Sequence, residues 1–248
     1  WEDPRISAVT EMLPGSNCGA CGFAGCRAFA EGLIEAKSEP AGCTQLGRDA
    51  VGEVAEFLGV AAGEATKRVA RLLCAGGANV AVTQAEYQGL ATCGAAAAVA
   101  GGGKGCWWGC IGLADCEVAC DYDAIVMDRN GLPRVIPEAC TACGDCVEVC
   151  PKDLFTLMPV DQRLIVQCKS ALEGDAAEAL CSVACTACGR CVQDAAPGVV
   201  SMRDGLAVVD YGQNERAGPE AIARCPTGAI AWVDGAQFAG APERSAVR

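Results

Sequence analysis

The sequence predicts an α+β protein that consists of a small helical N-terminal domain followed by two repeats of a cysteine motif, a β-hairpin and a second motif. Three observations predict this class. The 20 cysteines of the 248 residues come in groups with short, repeated gaps. Short apolar runs bounded by turn residues, typical of hairpins, lie between those groups in the second half of the chain. The longest stretches with helical periodicity lie in the N-terminal part.

The best-defined group has gaps of two, two and three residues and is followed by a proline. Its members are Cys140, Cys143, Cys146, Cys150 and Pro151. This spacing matches the bacterial ferredoxin motif, in which three thiolates bind one 4Fe-4S cluster and the fourth binds a second cluster. The motif therefore requires a partner. A structural zinc site is the alternative, but such sites favour two paired motifs, often with histidine, and this chain contains no histidine.

Composition narrows the class of protein further. The 19 basic and 31 acidic side chains give a net charge of -12, which argues against nucleic acid as a partner and against a polybasic membrane-docking surface. The cysteine spacing is that of metal ligation in a reducing compartment rather than of a disulfide scaffold. Aromatic residues are only 5% of the chain, so we expect a thin core and clusters that hold much of the fold. No apolar window is long enough for a spanning helix, and no signal peptide is visible.

The N-terminal domain is predicted to span residues 1–62. Asp3-Pro4 followed by Ile6, Val9 and Leu13 predicts a short capped helix that stops at Pro14-Gly15, and residues 47–58 predict a second helix. Between them lie four cysteines with gaps of two, four and sixteen residues: Cys18, Cys21, Cys26 and Cys43. They suit one self-contained 4Fe-4S site, although four cysteines alone also satisfy tetrahedral zinc.

Residues 63–105 are predicted to connect this domain to the repeats. Residues 67–74 alternate like a strand, and an alanine run over 95–98 predicts a small helix after Cys93. The glycine-rich residues 101–105 include Lys104 but lack the spacing and the Ser or Thr of a phosphate loop. We therefore interpret them as a turn.

The first repeat, residues 106–160, is predicted to be a two-cluster ferredoxin-like domain derived from the βαββαβ pattern. Its first motif contains Cys106, Cys110, Cys116 and Cys120, with gaps of three, five and three residues. A hairpin of residues 124–128 and 132–137 separates it from the second motif. Crossed ligation gives one cluster Cys106, Cys110, Cys116 and Cys150, and the other Cys140, Cys143, Cys146 and Cys120.

The second repeat, residues 161–248, is predicted to hold a single cluster. A strand over 164–168 precedes three motif cysteines, and a hairpin of residues 198–202 and 206–211 precedes the last one. The four expected positions without cysteine are Ala195, Glu215, Gly218 and Ala221. Under crossed ligation these four belong to one cluster, while the remaining four form the complete set of the other: Cys185, Cys188, Cys191 and Cys225.

Four cysteines stay outside these four clusters: Cys74, Cys93, Cys168 and Cys181. Two interpretations remain open. They form a fifth metal site between domains, or they are buried apolar residues, which free cysteines often are.

The motifs also resemble one protein family. Residues 3–5 (DPR), 13–26 (LPGSNCGACGFAGC), 104–106 (KGC), 109–112 (GCIG), 140–151 and 225–230 (CPTGAI) resemble the B subunit of the Rnf complex, a membrane ferredoxin:NAD oxidoreductase. The similarity covers almost the whole chain. The four absent motif cysteines depart from the family, so its cluster number does not carry over. Family members usually begin with a membrane helix just before the position of Trp1, which this sequence lacks.

The resemblance implies a subunit at the cytoplasmic face of the cell membrane. Such a subunit takes electrons from reduced ferredoxin and passes them to partner subunits, which couple the flow to sodium or proton transport. Membrane contact then comes through those partners or through a helix missing before Trp1. The resemblance also makes the chain part of an oxidoreductase, without an active site of its own beyond electron transfer.

The residues alone lead to the same class of function. Several clusters and no other reactive group predict a one-electron relay, because a chain without histidine has no Ser-His or Cys-His catalytic pair and no Rossmann fingerprint is present. Two alternatives remain. One is a soluble polyferredoxin subunit of a bifurcating or hydrogenase-type oxidoreductase, and the other is a zinc-scaffolded interaction module.

Overall fold

The computed structural model describes residues 3–64 and 66–239. The predicted domains also include Trp1, Glu2, Ala65 and residues 240–248, which lie outside the described residues. The α-helices are α1 (Pro4–Met12), α2 (Cys26–Ile34), α3 (Arg48–Leu58), α4 (Cys93–Ala98), α5 (Asp115–Val118), α6 (Asp145–Glu148), α7 (Gly174–Leu180) and α8 (Arg190–Asp194). The strands are β1 (Arg68–Leu72), β2 (Ile125–Met127), β3 (Pro133–Val135), β4 (Phe155–Pro159), β5 (Leu164–Val166), β6 (Val200–Arg203), β7 (Leu206–Val209) and β8 (Ile230–Trp232). The predicted α+β class is thus confirmed.

The described residues divide into two compact units. The first contains the residues up to Val69 together with Thr141–Gly144. The second contains Ala70–Cys140 and the residues from Asp145 onward.

The first unit is built around three helices. The Asp3 carboxylate accepts a hydrogen bond from the backbone N–H of Arg5 (2.9 Å), with Pro4 at the first helical position, so α1 begins as predicted. Helix α3 ends at Gly59, which adopts the left-handed conformation (φ 67°) that favours glycine. The buried core contains Val9, Phe29, Ala30, Leu33 and Val54.

The predicted hairpins are both present in the second unit. In the first, Ile125 of β2 pairs with Val135 of β3, and the Asp128 carboxylate accepts hydrogen bonds from the N–H groups of Asn130 (2.9 Å) and Leu132 (2.8 Å). That side chain fixes the turn because it replaces backbone acceptors. In the second hairpin, β6 pairs antiparallel with β7 over four residue pairs.

The other strand pairs are formed over long sequence distances. Strand β1 pairs with β4, and β5 pairs antiparallel with β8, with Ile165 opposite Ala231. The sequence predicts the strand at 164–168 but not its partner 66 residues later.

The end of the described chain is tied to β1 inside the second unit. The side-chain amide of Gln237 accepts from the N–H of Leu72 (2.8 Å) and donates to its carbonyl (2.9 Å). The Arg71 guanidinium is fully buried and donates to the carbonyl of Gly235 (2.6 Å). Among the residues described here, no helix is long and apolar enough to cross a membrane.

Candidate iron-sulfur sites

The N-terminal quartet consists of the four cysteines predicted to act together: Cys18, Cys21, Cys26 and Cys43. All four line one cavity of the first unit, with an empty volume of about 290 Å³. Gly25 lies in the loop that wraps it and has φ 151°, a conformation that side chains rarely adopt. A Cβ at Gly25 would come within 2.8 Å of the Asn17 Oδ1, which accepts a hydrogen bond from the N–H of Cys26 (2.8 Å).

The C-terminal quartet also matches a predicted set: Cys185, Cys188, Cys191 and Cys225. These cysteines line a cavity with an empty volume of about 350 Å³, part of it open to solvent. Burial above all, together with the three neighbouring thiols, raises the pKa of Cys191 to about 11. Cys225 differs, because hydrogen bonds from the backbone of Ile230 and from Thr227 outweigh the effect of burial and leave the pKa of its thiol lowered. Such bonds stabilise a thiolate, the form that binds metal.

The central quartet differs from its predicted composition. The cavity that contains Cys110, Cys116 and Cys150 is lined by Cys93 and not by Cys106, and its empty volume is about 330 Å³. Cys93 is the first residue of α4, and the N–H of Gly94 donates to the Asp115 carboxylate (3.0 Å) at the start of α5. This bond ties Cys93 to the helix that carries Cys116. The central quartet is therefore defined as Cys93, Cys110, Cys116 and Cys150.

The position of Leu113 explains why Cys93, and not Cys106, lies with the other cysteines of the central quartet. Counted back from Cys120, the standard gaps of three, two and two residues place motif cysteines at Cys116, at position 113 and at Cys110. Leu113 stands at the second of these positions. The pKa of the Cys93 thiol is raised, mainly by burial. Hydrogen bonds from the backbone of Asp115 and Leu113 to this thiol partly oppose the shift. The thiol of Cys93 thus lies beside the backbone of the residue that replaces the motif cysteine.

Cys106 lines a different cavity. There it meets three of the four cysteines that the sequence left outside any motif, and the empty volume is about 330 Å³. We call this group the linker quartet: Cys74, Cys106, Cys168 and Cys181. The cavities therefore group Cys93 and Cys106 differently from the predicted ligand sets, because these two residues line different cavities. Ligation itself stays a prediction for every quartet.

The fourth predicted set is Cys120, Cys140, Cys143 and Cys146. Cys140 and Cys146 are buried, while Cys120 and Cys143 are half-buried. In the second unit, the N–H of Ala70 donates to the Cys140 Sγ (3.5 Å). Cys143 belongs to residues 141–144 of the first unit, where the Thr44 hydroxyl donates to the carbonyl of Thr141 (2.9 Å). The common ligation of these four rests on the motif alone.

Four thiols around one cavity suit an iron-sulfur cluster. Within residues 3–64 and 66–239, no three His, Cys, Asp or Glu side chains are grouped to hold one metal ion. A 4Fe-4S cluster takes one thiolate at each of four separate corners. Its negative charge also explains the positions of two cations. One is the half-buried Lys104, whose Nζ donates to the carbonyl of Cys110 (2.6 Å) at the wall of the linker quartet's cavity.

Arg71 is the second of these cations. Burial lowers the pKa of its guanidinium and the neighbouring Cys140 raises it. Its Nε is buried and has no hydrogen-bond partner among the described residues. A buried cation is costly without a compensating charge, and a cluster at Cys140 would supply one.

Two family models match the chain. An Fe-S cluster family matches residues 13–45, which contain the N-terminal quartet. A 4Fe-4S dicluster domain matches residues 108–157.

Relatives match over most of the chain. One is the B subunit of the Na(+)-translocating ferredoxin:NAD(+) oxidoreductase complex of Acetobacterium woodii, 40% identical over 93% of this chain and 69% of the relative. Another is the B subunit of the proton-translocating ferredoxin:NAD(+) oxidoreductase complex of Clostridium ljungdahlii, 38% identical over 92% of this chain and 81% of the relative. The B subunit of the ion-translocating oxidoreductase complex of Methanosarcina acetivorans is 33% identical over 92% of this chain and 86% of the relative.

Proposed function

Because the chain belongs to the family of B subunits of ion-translocating ferredoxin:NAD oxidoreductase complexes, we propose that it relays single electrons from reduced ferredoxin to partner subunits of such a complex. It is an electron-transfer subunit of an oxidoreductase. The observation that carries the proposal is the set of cavities, each lined by four cysteines, in a chain that its relatives match almost from end to end.

A bound 4Fe-4S cluster supplies the chemistry, since it accepts and releases one electron at a time. The chain's own residues hold and tune it. Sixteen cysteines are proposed as ligands of four clusters, in the N-terminal, central and C-terminal quartets and in the set that contains Cys140. Backbone N–H groups directed at sulfur, such as that of Leu154 at the Cys150 Sγ (3.5 Å), raise the reduction potential because they stabilise the more negative state.

The thiols of neighbouring sets lie close to one another in the second unit. Cys116 of the central quartet has Cys146 among its electrostatic neighbours, and burial is the main reason that the pKa of Cys116 is raised. Close spacing of this kind is what a relay needs. The buried side chains Leu72, Leu154 and Phe155 line the same cavity and give it an apolar wall.

The proposal extends to the architecture. We propose a ferredoxin-like fold for residues 106–160 and again for residues 161–248, after an N-terminal cluster domain (1–62) and a connecting segment (63–105). Two observations support it. Each hairpin follows a short helix with a motif cysteine, Cys116 on α5 and Cys191 on α8. A second short helix follows each hairpin, α6 in the first repeat and the 3₁₀ helix Pro219–Ile222 in the second.

Donor, partners and location are part of the same proposal. The names of two relatives identify them as subunits of ferredoxin:NAD(+) oxidoreductase complexes that translocate an ion. We infer that reduced ferredoxin is the donor, that other subunits of the complex are the acceptors, and that this subunit works at the cytoplasmic face of the membrane.

Reduction of the anaerobically purified chain tests the proposal. A photoreduced bacterial two-cluster ferredoxin should reduce the protein, measured by loss of its visible cluster absorption in a stopped-flow instrument. A reduced viologen serves as a donor that needs no protein recognition. Iron-free protein would overturn the relay function, and protein that accepts electrons from the viologen but not from ferredoxin would overturn the assignment of the donor.

A further inference from the structure

We propose that the linker quartet, Cys74, Cys106, Cys168 and Cys181, holds a fifth 4Fe-4S cluster that connects the first repeat to the second. This inference rests on the proposed relay function. It assigns a role to every one of the 20 cysteines.

The four thiols come from separate parts of the chain. Cys74 follows β1, Cys106 lies four residues before Cys110, Cys168 follows β5 and Cys181 follows α7. All four line one cavity within the second unit, and all four are free thiols. Packing alone gives no reason for four remote cysteines to converge on one cavity, because any small apolar residue could fill those positions.

Part of the wall of the linker quartet's cavity is formed by the backbone of a glycine. A Cβ at Gly76 would lie 3.2 Å from the Cys181 Sγ and 3.6 Å from the Cys74 Sγ. The backbone therefore passes directly against two of the thiols. Such a close approach is a common reason for glycine beside a cofactor.

Hydrogen bonds to sulfur link this quartet to both neighbours. The N–H of Cys110, a member of the central quartet, donates to the Cys74 Sγ (3.4 Å). On the other side, the N–H of Ser170 donates to the Cys168 Sγ (3.4 Å), and the backbone of Cys185, a member of the C-terminal quartet, also hydrogen-bonds the Cys168 thiol. The linker quartet thus lies between the central and the C-terminal quartets.

A cation lines the same cavity. The Lys104 side chain is anchored by two backbone carbonyls, of Gly76 and of Cys110. This anchoring holds a positive charge beside the four thiols. An anionic cluster would be stabilised by that charge, whereas four neutral thiols gain nothing from it.

Iron content in matched variants of the full chain tests the inference. The anaerobically purified protein should contain about 20 iron atoms, and Cys106→Ser and Cys181→Ser should each contain about 16, because each removes one four-iron cluster. The double variant Cys106→Ser/Cys181→Ser should still contain about 16, whereas Cys106→Ser/Cys110→Ser should contain about 12, because its two losses fall in different clusters. Ser182→Ala, next to Cys181, is the control and should retain all iron.

Alkylation of the native protein gives a readout that does not depend on the variants' folding. Ligating thiols should resist iodoacetamide until the iron is removed, as mapped by mass spectrometry. About 16 iron atoms in the unaltered protein, with these four cysteines alkylated, would overturn the fifth site and leave the proposed function intact. Full iron retention in Cys181→Ser, or zinc at this site, would also overturn it. Iron-free protein would instead refute the proposed function itself.

Discussion

The two repeats of the second unit both lack motif cysteines, and they differ in what stands in place of them. The first repeat lacks one, at Leu113, and the thiol of Cys93 lies against the backbone of that residue. The second repeat lacks four, and two of these positions hold alanines in its apolar core, whereas Glu215 is exposed. Ala221 is buried and Ala195 packs against the same core as Val199 and Val200.

The difference teaches how an incomplete motif should be interpreted. In the proposed ligation, a single absent cysteine leaves three ligands of a set in place, and Cys93 from outside the repeat completes it. In the same scheme the four absences of the second repeat belong to one crossed set, and apolar packing occupies the positions of Ala195 and Ala221. In this scheme, whether a cluster site remains depends on how many of its four ligand positions keep a cysteine, and not on any single position.

Removal of iron is expected to cause the largest difference in local stability between the two repeats. Both repeats have only short helices, which are not stable alone, but the first repeat is proposed to hold two clusters and the second only one. The second repeat retains its apolar core. After anaerobic iron chelation, amide hydrogen exchange in β2 and β3 should accelerate about 100-fold more than in β6 and β7, a difference of about 2.7 kcal/mol in opening free energy. Equal acceleration in the two hairpins would contradict the comparison.

Cys93→Ser should remove the cluster of the central quartet. We expect the loss of about four iron atoms, measured by metal analysis, because the change removes one of the four thiolates that would hold the cluster. Ala98→Ser, an exposed change in the same helix, should lose none. Adding Leu113→Cys to the Cys93→Ser variant restores the standard motif spacing and should return the iron. Unchanged iron in Cys93→Ser would restore Cys106 as the fourth ligand.

A larger side chain at Ala221 tests whether the vacated region is filled. Ala221 is 1% exposed, so Ala221→Leu should destabilise the protein by about 1–3 kcal/mol through overpacking. The exposed Ala223→Leu is the matched control, expected within about 0.5 kcal/mol of the unaltered protein. Anaerobic urea unfolding measures both. A leucine at position 221 without cost would indicate a cavity where we describe a packed core.

The smallest effect is expected when the lost cysteines are restored. The combined change Ala195→Cys, Glu215→Cys, Gly218→Cys and Ala221→Cys should add no iron, because the core has closed over the space. Metal analysis would reveal a gain of about four iron atoms if the region could still open around a cluster.

Much of the local structure follows from the sequence. The Asp3-Pro4 cap, the helix over 48–58 and both hairpins are present, because caps, helical periodicity and turn residues act over a few positions. The C-terminal quartet lines one cavity, as the crossed pattern predicts.

The sequence does not show which remote cysteines come together in the fold. Local spacing assigns Cys106 to the motif that it precedes, although the fold turns it toward Cys74. One feature of the sequence could have shown that Cys106 does not belong to this motif. The gap of three residues between Cys116 and Cys120 fixes the motif frame, and that frame includes Cys110 and position 113 but not Cys106.

The attachment of Gln237 and Gly235 to β1 has a consequence for biosynthesis. The ribosome makes Leu72 165 residues before Gln237, so β1 gains these two side-chain hydrogen bonds only after residue 237 has emerged. The cysteines up to Cys191 are made well before Gln237. Iron and sulfide can therefore reach their loops before Gln237 closes against β1.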